Sequence, residues 1–210
     1  MRQLLGVHLG TTAPEIEFAY GPHGKPALSQ KFAGVNLRFN LSHSGEIAIY
    51  GFSIGRELGV DVEALRPLSD ADDIVARFFS RAECEAYRRL AAIDRTAGFF
   101  NCWTRKEALI KALGDGLYYS LKNFDVSLAP EDFATVLRLN DVPGERCGWS
   151  MGYLDVPGFA AAVVVENFPC HAAPPERVRD RRSTFPRRAI AAVTAWRQGG
   201  RRDRFADASL

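Results

Sequence analysis

Apolar positions along the chain change period several times, and each change predicts an element. Over residues 2–9, Leu4, Leu5 and Leu9 fall on one side of a helix, and Gly10 is its stop. That helix starts abruptly at Met1, with no capping residue ahead of it. Gly21-Pro-His-Gly-Lys-Pro26 concentrates glycine and proline and predicts a loop. A period of two then takes over. Leu37, Phe39 and Leu41 alternate with polar neighbours, as do Ile47, Ile49 and Gly51, and Ser44-Gly45 joins the two runs as a hairpin. A third strand runs from Leu58 to Glu63. Ser69 then caps a helix reaching about Phe79, and Ser80-Arg-Ala-Glu83 is a capping box opening another to about Ile93. A longer helix covers Phe99 to Leu113 and stops at Gly114. Strand patterns return at Phe124–Leu128, Thr135–Leu139, Gly148–Leu154 and Ala160–Glu166. Helix, strands, helices, strands in that order predicts an α+β fold with antiparallel pairing.

Composition narrows the setting. The chain has 210 residues, 47% of them hydrophobic and 25% charged, which is enough for one large or two small cores. Its longest apolar run, Phe159 to Val165, is far short of the roughly 20 residues of a membrane span. No signal-peptide pattern opens the chain, and Cys84, Cys102, Cys147 and Cys170 are scattered without metal-ligand spacing. Reduced thiols and a cytoplasmic setting are expected. Beyond Cys170 the periodicity stops. Residues 171–210 hold 10 of the 27 basic and 4 of the 25 acidic side chains, so the tail is net +6 and the body net −4. A solvated tail with one helix at Arg188–Arg197 is expected; an arginine-rich nucleic-acid patch is the alternative.

The chemistry-bearing residues sit in three segments. In Gly59-Val-Asp-Val-Glu63, strand alternation turns Asp61 and Glu63 to one face and Val60 and Val62 to a core. In Trp103-Thr-Arg-Lys-Glu-Ala-Leu-Ile-Lys111, Glu107 and Lys111 lie one helical turn apart on one face. If the two faces meet, hard oxygen ligands converge beside a fixed cation, a set suited to Mg²⁺ on a pyrophosphate. The plain alternatives are the wet face of a strand and an exposed ion pair of ~0.3–0.5 kcal/mol. A third segment, Asn40-Leu-Ser-His-Ser-Gly45, offers Ser42, His43 and Ser44 at a turn, and with Lys25 it forms an anion site. Phe99, Phe100 and Trp103 read as core. Lys106 points about 100° away from Glu107, toward nucleotide or solvent.

His43 with its flanking serines, then GVDVE, then WTRKEALIKALGDGL, in this order, resemble the Sfp-type phosphopantetheinyl transferases. Gly24-Lys-Pro26 and Arg77-Phe-Phe-Ser80 match lesser signals, and the likeness runs from about Leu4 to Glu166. The resemblance implies an enzyme that moves the 4'-phosphopantetheine arm of coenzyme A onto a serine of an apo acyl or peptidyl carrier protein, releasing adenosine 3',5'-bisphosphate. It implies Asp61, Glu63 and Glu107 as Mg²⁺ ligands. Lys25, Ser42 and His43 would hold coenzyme A phosphates, with Lys111 along the pyrophosphate. Glu107 and Lys111 would be the catalytic pair, with Glu107 taking the proton of the incoming serine. The carrier would meet the region Phe78–Leu90, where Arg77, Arg81, Arg88 and Arg89 supply attraction.

The fold implied is two similar α+β halves related by a pseudo-twofold, with coenzyme A between them in a monomer. On that frame residues 1–55 form a partial first half whose N-terminal part is missing, 56–170 the second half with the metal site, and 171–210 a flexible Arg/Pro-rich tail. The expected alternative to an active enzyme is a truncated remnant that binds coenzyme A, Mg²⁺ or carrier without efficient turnover. Apart from the resemblance, a metal-dependent phosphohydrolase or a basic-tailed nucleic-acid binder remains open.

Overall fold

Local signals set most of the elements in place. The computed structural model describes residues 1–114, 119–139 and 148–167, together with the backbone of 191–197. In chain order the elements are α1 (Arg2–Leu9), β1 (Phe18–Tyr20), β2 (Pro26–Leu28), β3 (Leu37–Ser44), β4 (Ile47–Ile54), β5 (Leu58–Ala64), α2 (Ala71–Phe78), α3 (Arg81–Arg89), α4 (Arg95–Leu113), β6 (Phe124–Val126), β7 (Val136–Leu139), β8 (Trp149–Tyr153), β9 (Phe159–Glu166) and β10 (Ala191–Arg197). The fold is α+β, and every strand pairing described is antiparallel.

Two three-stranded sheets carry the architecture, one ordered β10-β4-β3 and the other β5-β9-β8. Their inner faces pack on each other. Ile47 and Ile49 of β4 meet Leu58, Val60 and Val62 of β5 and Val163 and Val165 of β9, all at most 2% exposed. Each sheet has a helix on its outer face. Leu5 of α1 packs with Leu37, Phe39 and Phe52, while Ala108, Leu109 and Ala112 of α4 pack with Ala160, Ala162 and Val164. The layers are therefore helix, sheet, sheet, helix, and the same helix-on-sheet plan occurs twice. Strand alternation explains how β5 and β9 serve two cores at once: one set of side chains faces the other sheet, the other set faces α4.

Caps agree with the sequence signals at several ends. Gly10 and Gly114 close α1 and α4 in the left-handed conformation, at φ 64° and 82°. Ser80 and Glu83 complete the capping box of α3 in both directions. Boundaries moved elsewhere. The first helix after β5 begins at Ala71, with Asp70 rather than Ser69 as its N-cap; α3 ends at Arg89, and α4 starts at Arg95. Residues 191–197, expected within a helix, form strand β10, with Ala191–Arg197 paired against Ser53–Ile47 of β4. A vacant strand edge presents a row of unpaired N–H and C=O groups, and filling it outweighs a weak local helix preference. The remainder of the expected tail, with Cys147 and Cys170, lies outside the described residues. Cys84 and Cys102 are buried free thiols.

Candidate active site

Glycine decides how closely α4 can approach the sheet. A Cβ added at Gly59 would stand 2.0 Å from the Ala108 carbonyl oxygen and 2.4 Å from the Ala112 nitrogen. With hydrogen there instead, the backbone of α4 lies directly on β5. Asp61 and Glu63 share the face of Gly59, and Lys111 is set in the same stretch of helix. The two faces inferred from spacing therefore do meet.

Lys111 Nζ donates to Asp61 Oδ1 at 2.6 Å and to Ser42 Oγ at 3.1 Å. Ser42 Oγ in turn donates to the same Asp61 oxygen at 2.8 Å. The other carboxylate oxygen of Asp61, Oδ2, is buried and has no hydrogen-bond partner among the described residues. Burial raises the Asp61 carboxyl above its ordinary range, against the opposing pull of Lys111. Glu107, half-buried on α4, is raised as well, first by desolvation and then by the negative charge of Asp61 and Glu63. Glu63 Oε2 accepts from Ser44 Oγ at 3.1 Å and lies 3.9 Å from Arg66 Nη1. Three carboxylates thus crowd one small region, with Lys111 pairing one of them.

In this arrangement no three His, Cys, Asp or Glu side chains among the described residues are gathered closely enough to enclose an ion. The residue types nevertheless suit Mg²⁺. The donors are hard oxygens, Asp61 Oδ2 is buried without a hydrogen-bond partner among the described residues, and the long side chain of Glu107 has the torsional freedom to close on it. A cation there would relieve the crowding that lifts Asp61 and Glu107.

The other expected residues are placed less uniformly. Ser42, His43 and Ser44 belong to strand β3, not to a turn, so alternation separates them. Ser42 and Ser44 face β5, while His43 is exposed on the opposite face. Lys25 Nζ is bonded to Glu57 Oε2 at 2.6 Å and to the Ala112 carbonyl oxygen at 2.9 Å, beside the C-terminal end of α4. Arg38 Nε holds the other Glu57 oxygen at 3.0 Å. One carboxylate therefore gathers two cations within a few residues of Lys111.

Lys106 meets neither nucleotide nor solvent. Fully buried, it pairs with Glu83 at 2.8 Å and donates to the carbonyls of Leu121 and Phe124, both at 2.7 Å. Glu83 also accepts from the Ser80 and Val126 backbone N–H groups, so this ion pair binds α3, α4 and β6 together. Phe99 and Phe100 are core, as expected, and Trp103 packs against it. Arg77, Arg81, Arg88 and Arg89 are all exposed, with Arg81 and Arg89 paired to Glu85. A cavity of about 230 Å³ lined by Arg66, Asp72, Tyr87, Arg95 and Phe100 reaches none of the three carboxylates.

Spacing did not reveal Gly59, Glu57, Arg38 or Asn40 as parts of this region. Gly59 carried a signal, since a lone glycine within a strand pattern marks close backbone approach. The others depend on which strands become neighbours.

The profile of the 4'-phosphopantetheinyl transferase superfamily matches residues 57–164, the segment from β5 through β9 that holds all three carboxylates. The 4'-phosphopantetheinyl transferase HetI of Nostoc sp. is 38% identical over 170 residues, covering 80% of this chain and 68% of that protein. The chain belongs to the 4'-phosphopantetheinyl transferase superfamily. A second superfamily relative, 4'-phosphopantetheinyl transferase psf-1 of Bacillus pumilus, is 37% identical over 127 residues, 60% of this chain and 52% of that protein. The chain spans 68% of HetI and about half of psf-1. Among solved structures, a holo-(acyl-carrier-protein) synthase from Bacillus anthracis in complex with CoA (3',5'-ADP) is 21% identical. That match covers 53% of this chain and 96% of that one, with a TM-score of 0.41.

Proposed function

We propose that this superfamily member transfers the 4'-phosphopantetheine group of coenzyme A to a serine of an apo acyl or peptidyl carrier protein, with Mg²⁺ held by Asp61, Glu63 and Glu107. The observation that carries this reading is the contact of β5 with α4 at Gly59. It sets Lys111 on one oxygen of Asp61 and leaves the other buried, with no hydrogen-bond partner among the described residues, beside two further carboxylates. When bound, the cation would neutralise charge on the diphosphate.

The reaction needs a serine oxygen to form a bond to the phosphorus that bears the pantetheine arm. The bond from that phosphorus to the leaving oxygen breaks, and adenosine 3',5'-bisphosphate departs. Glu107 accepts the serine proton, directly or through one water. Lys111 shifts its charge from Asp61 toward the leaving phosphate as negative charge develops there. Lys25 exchanges Glu57 for a phosphate oxygen, and exposed His43 offers its imidazole to another. Ser42 keeps Asp61 and Lys111 in register. The nucleophile comes from the carrier, so the chain needs no catalytic serine or cysteine of its own. Exposed arginines from Arg77 to Arg89 attract the carrier.

Incubation with apo carrier, coenzyme A and Mg²⁺, followed by intact-mass measurement, tests the proposal. One phosphopantetheine added to the carrier serine, and none without Mg²⁺, is the expected result. Coenzyme A binding without any adduct would select the impaired remnant instead.

A further inference from the structure

Among the described residues strand β5 pairs with β9 along one edge only, yet its other edge is not bare. The N–H groups of Val60, Val62 and Ala64 donate to Asn40 Oδ1 at 3.0 Å, Ser42 Oγ at 3.4 Å and Ser44 Oγ at 3.1 Å. Three alternate side chains of β3 thus take the place of a backbone partner. The two serines do a second thing. Each hydroxyl that accepts from the β5 backbone also donates to the carboxylate just before that N–H: Ser42 to Asp61 at 2.8 Å and Ser44 to Glu63 at 3.1 Å. The two stations repeat at the strand's own period of two.

We infer that Ser44 is a positioning residue for Glu63, fixing the carboxylate that the proposed Mg²⁺ site uses, and is not a phosphate contact. The inference rests on the reading of Asp61, Glu63 and Glu107 as metal ligands. The geometry argues for it in three ways. Ser44 lies on the β5 side of β3, opposite to exposed His43, so it is turned away from that imidazole. Its oxygen accepts from one group held rigidly in a strand, which leaves its proton for Glu63. And a glutamate at a partly exposed strand end has three torsions to restrain, so a single hydroxyl removes much of its freedom. Partners of this kind, bonded to a metal ligand rather than to the metal, commonly change metal affinity by about 10–100-fold when removed.

Mn²⁺ binding to the full chain, followed by electron paramagnetic resonance without coenzyme A or carrier, is the test. Wild type, Ser44→Ala, Ser44→Thr, Glu63→Gln and the double variant Ser44→Ala/Glu63→Gln are compared. Ser44→Ala is expected to weaken Mn²⁺ binding by about 10-fold. Ser44→Thr, which keeps the hydroxyl, restores it. In the Glu63→Gln background Ser44→Ala should cost nothing further, because its effect passes through Glu63. KM for coenzyme A at saturating Mg²⁺ should not change in Ser44→Ala, whereas a phosphate contact would raise it. If Ser44→Ala binds Mn²⁺ within twofold of wild type while Glu63→Gln binds it poorly, the positioning role is wrong and the metal site stands. Equal losses from Ser44→Ala with and without Glu63 would likewise overturn it. Wild type that binds no Mn²⁺, or binds it unchanged after Glu63→Gln, removes the metal reading and this inference with it.

Discussion

At the scale of single residues, Glu107 carries a conflict between stability and function. Its carboxyl lies above the ordinary value of 4.5 because it is desolvated and faces Asp61 and Glu63. A group raised on folding lends stability that is full below its unfolded value and lost as pH rises through its folded value. Metal-free protein should therefore melt at a higher temperature as pH falls from neutrality toward 4.5, and Glu107→Gln should flatten that slope. The same substitution should raise the melting temperature of metal-free protein at neutral pH, by about 2–4 °C for each kcal/mol gained. Turnover should fall by about 10²–10⁴-fold through loss of the base. Scanning calorimetry in chelator, paired with the carrier-adduct assay, measures both; near-normal turnover with Mg²⁺ present would refute Glu107 as the base. Ordinary spacing rules showed Asp61, Glu63, Glu107 and Lys111 as facing pairs, since each pair needs only its own element. They could not show that Ser44 serves Glu63, or that Lys25 is held by Glu57, because those partners are set by neighbouring strands far apart in sequence.

At the scale of elements, the contact of α4 with β5 is the junction on which the site depends. Gly59→Ala would place a methyl carbon 2.0 Å from the Ala108 carbonyl oxygen, a backbone atom that cannot swing aside. Either the helix lifts or the strand bends. Overpacking of this kind typically costs about 1–3 kcal/mol, and a displaced α4 carries Glu107 and Lys111 away from Asp61. Gly59→Ala is expected to lower the urea midpoint and to lose Mn²⁺ affinity at temperatures where circular dichroism still reports a folded chain. A variant with unchanged midpoint and affinity would mean that the helix approach has slack the distances do not show. Most elements were legible from periodicity and caps, including the hairpin of β3 and β4 and the capping box at Ser80. The exceptions are instructive. Lys106 looked surface-bound because lysine is seldom buried, and only the alignment of Glu83 with two carbonyls makes its burial tolerable. Strand β10 is not legible in the sequence because its partner, the edge of β4, is more than 130 residues away.

For the whole molecule, the shared core between the sheets matters more than the repetition of the layer plan. Ile49 is fully buried there, against side chains from the second sheet. Removing most of it, as in Ile49→Ala, should cost about 2–5 kcal/mol. Because the core joins both sheets, the loss should appear as one lowered transition and not as selective melting of the first sheet. In a Trp196→Phe background, which removes the tryptophan of β10 in the first sheet, Trp103 and Trp149 report by fluorescence on the core beside the second sheet, and far-ultraviolet circular dichroism reports on all strands. Coincident urea curves for the two signals are expected; separated curves would show that the two sheets unfold independently. The α+β class and antiparallel pairing could be read from the order of elements, whereas the packing of one sheet on the other could not. Alternation marks a buried face without naming what buries it.

Asn40, Ser42 and Ser44 also have a bearing on how the protein behaves in a crowded solution. Two-sided β-sheets invite other chains to add strands wherever donors and acceptors are vacant. On this flank of β5 three N–H groups are already taken by side chains of β3 that lie over them, and a visiting strand cannot displace these without breaking three bonds at once. The polar residues that organise the cleft thereby also keep one of its walls from acting as a seed for aggregation.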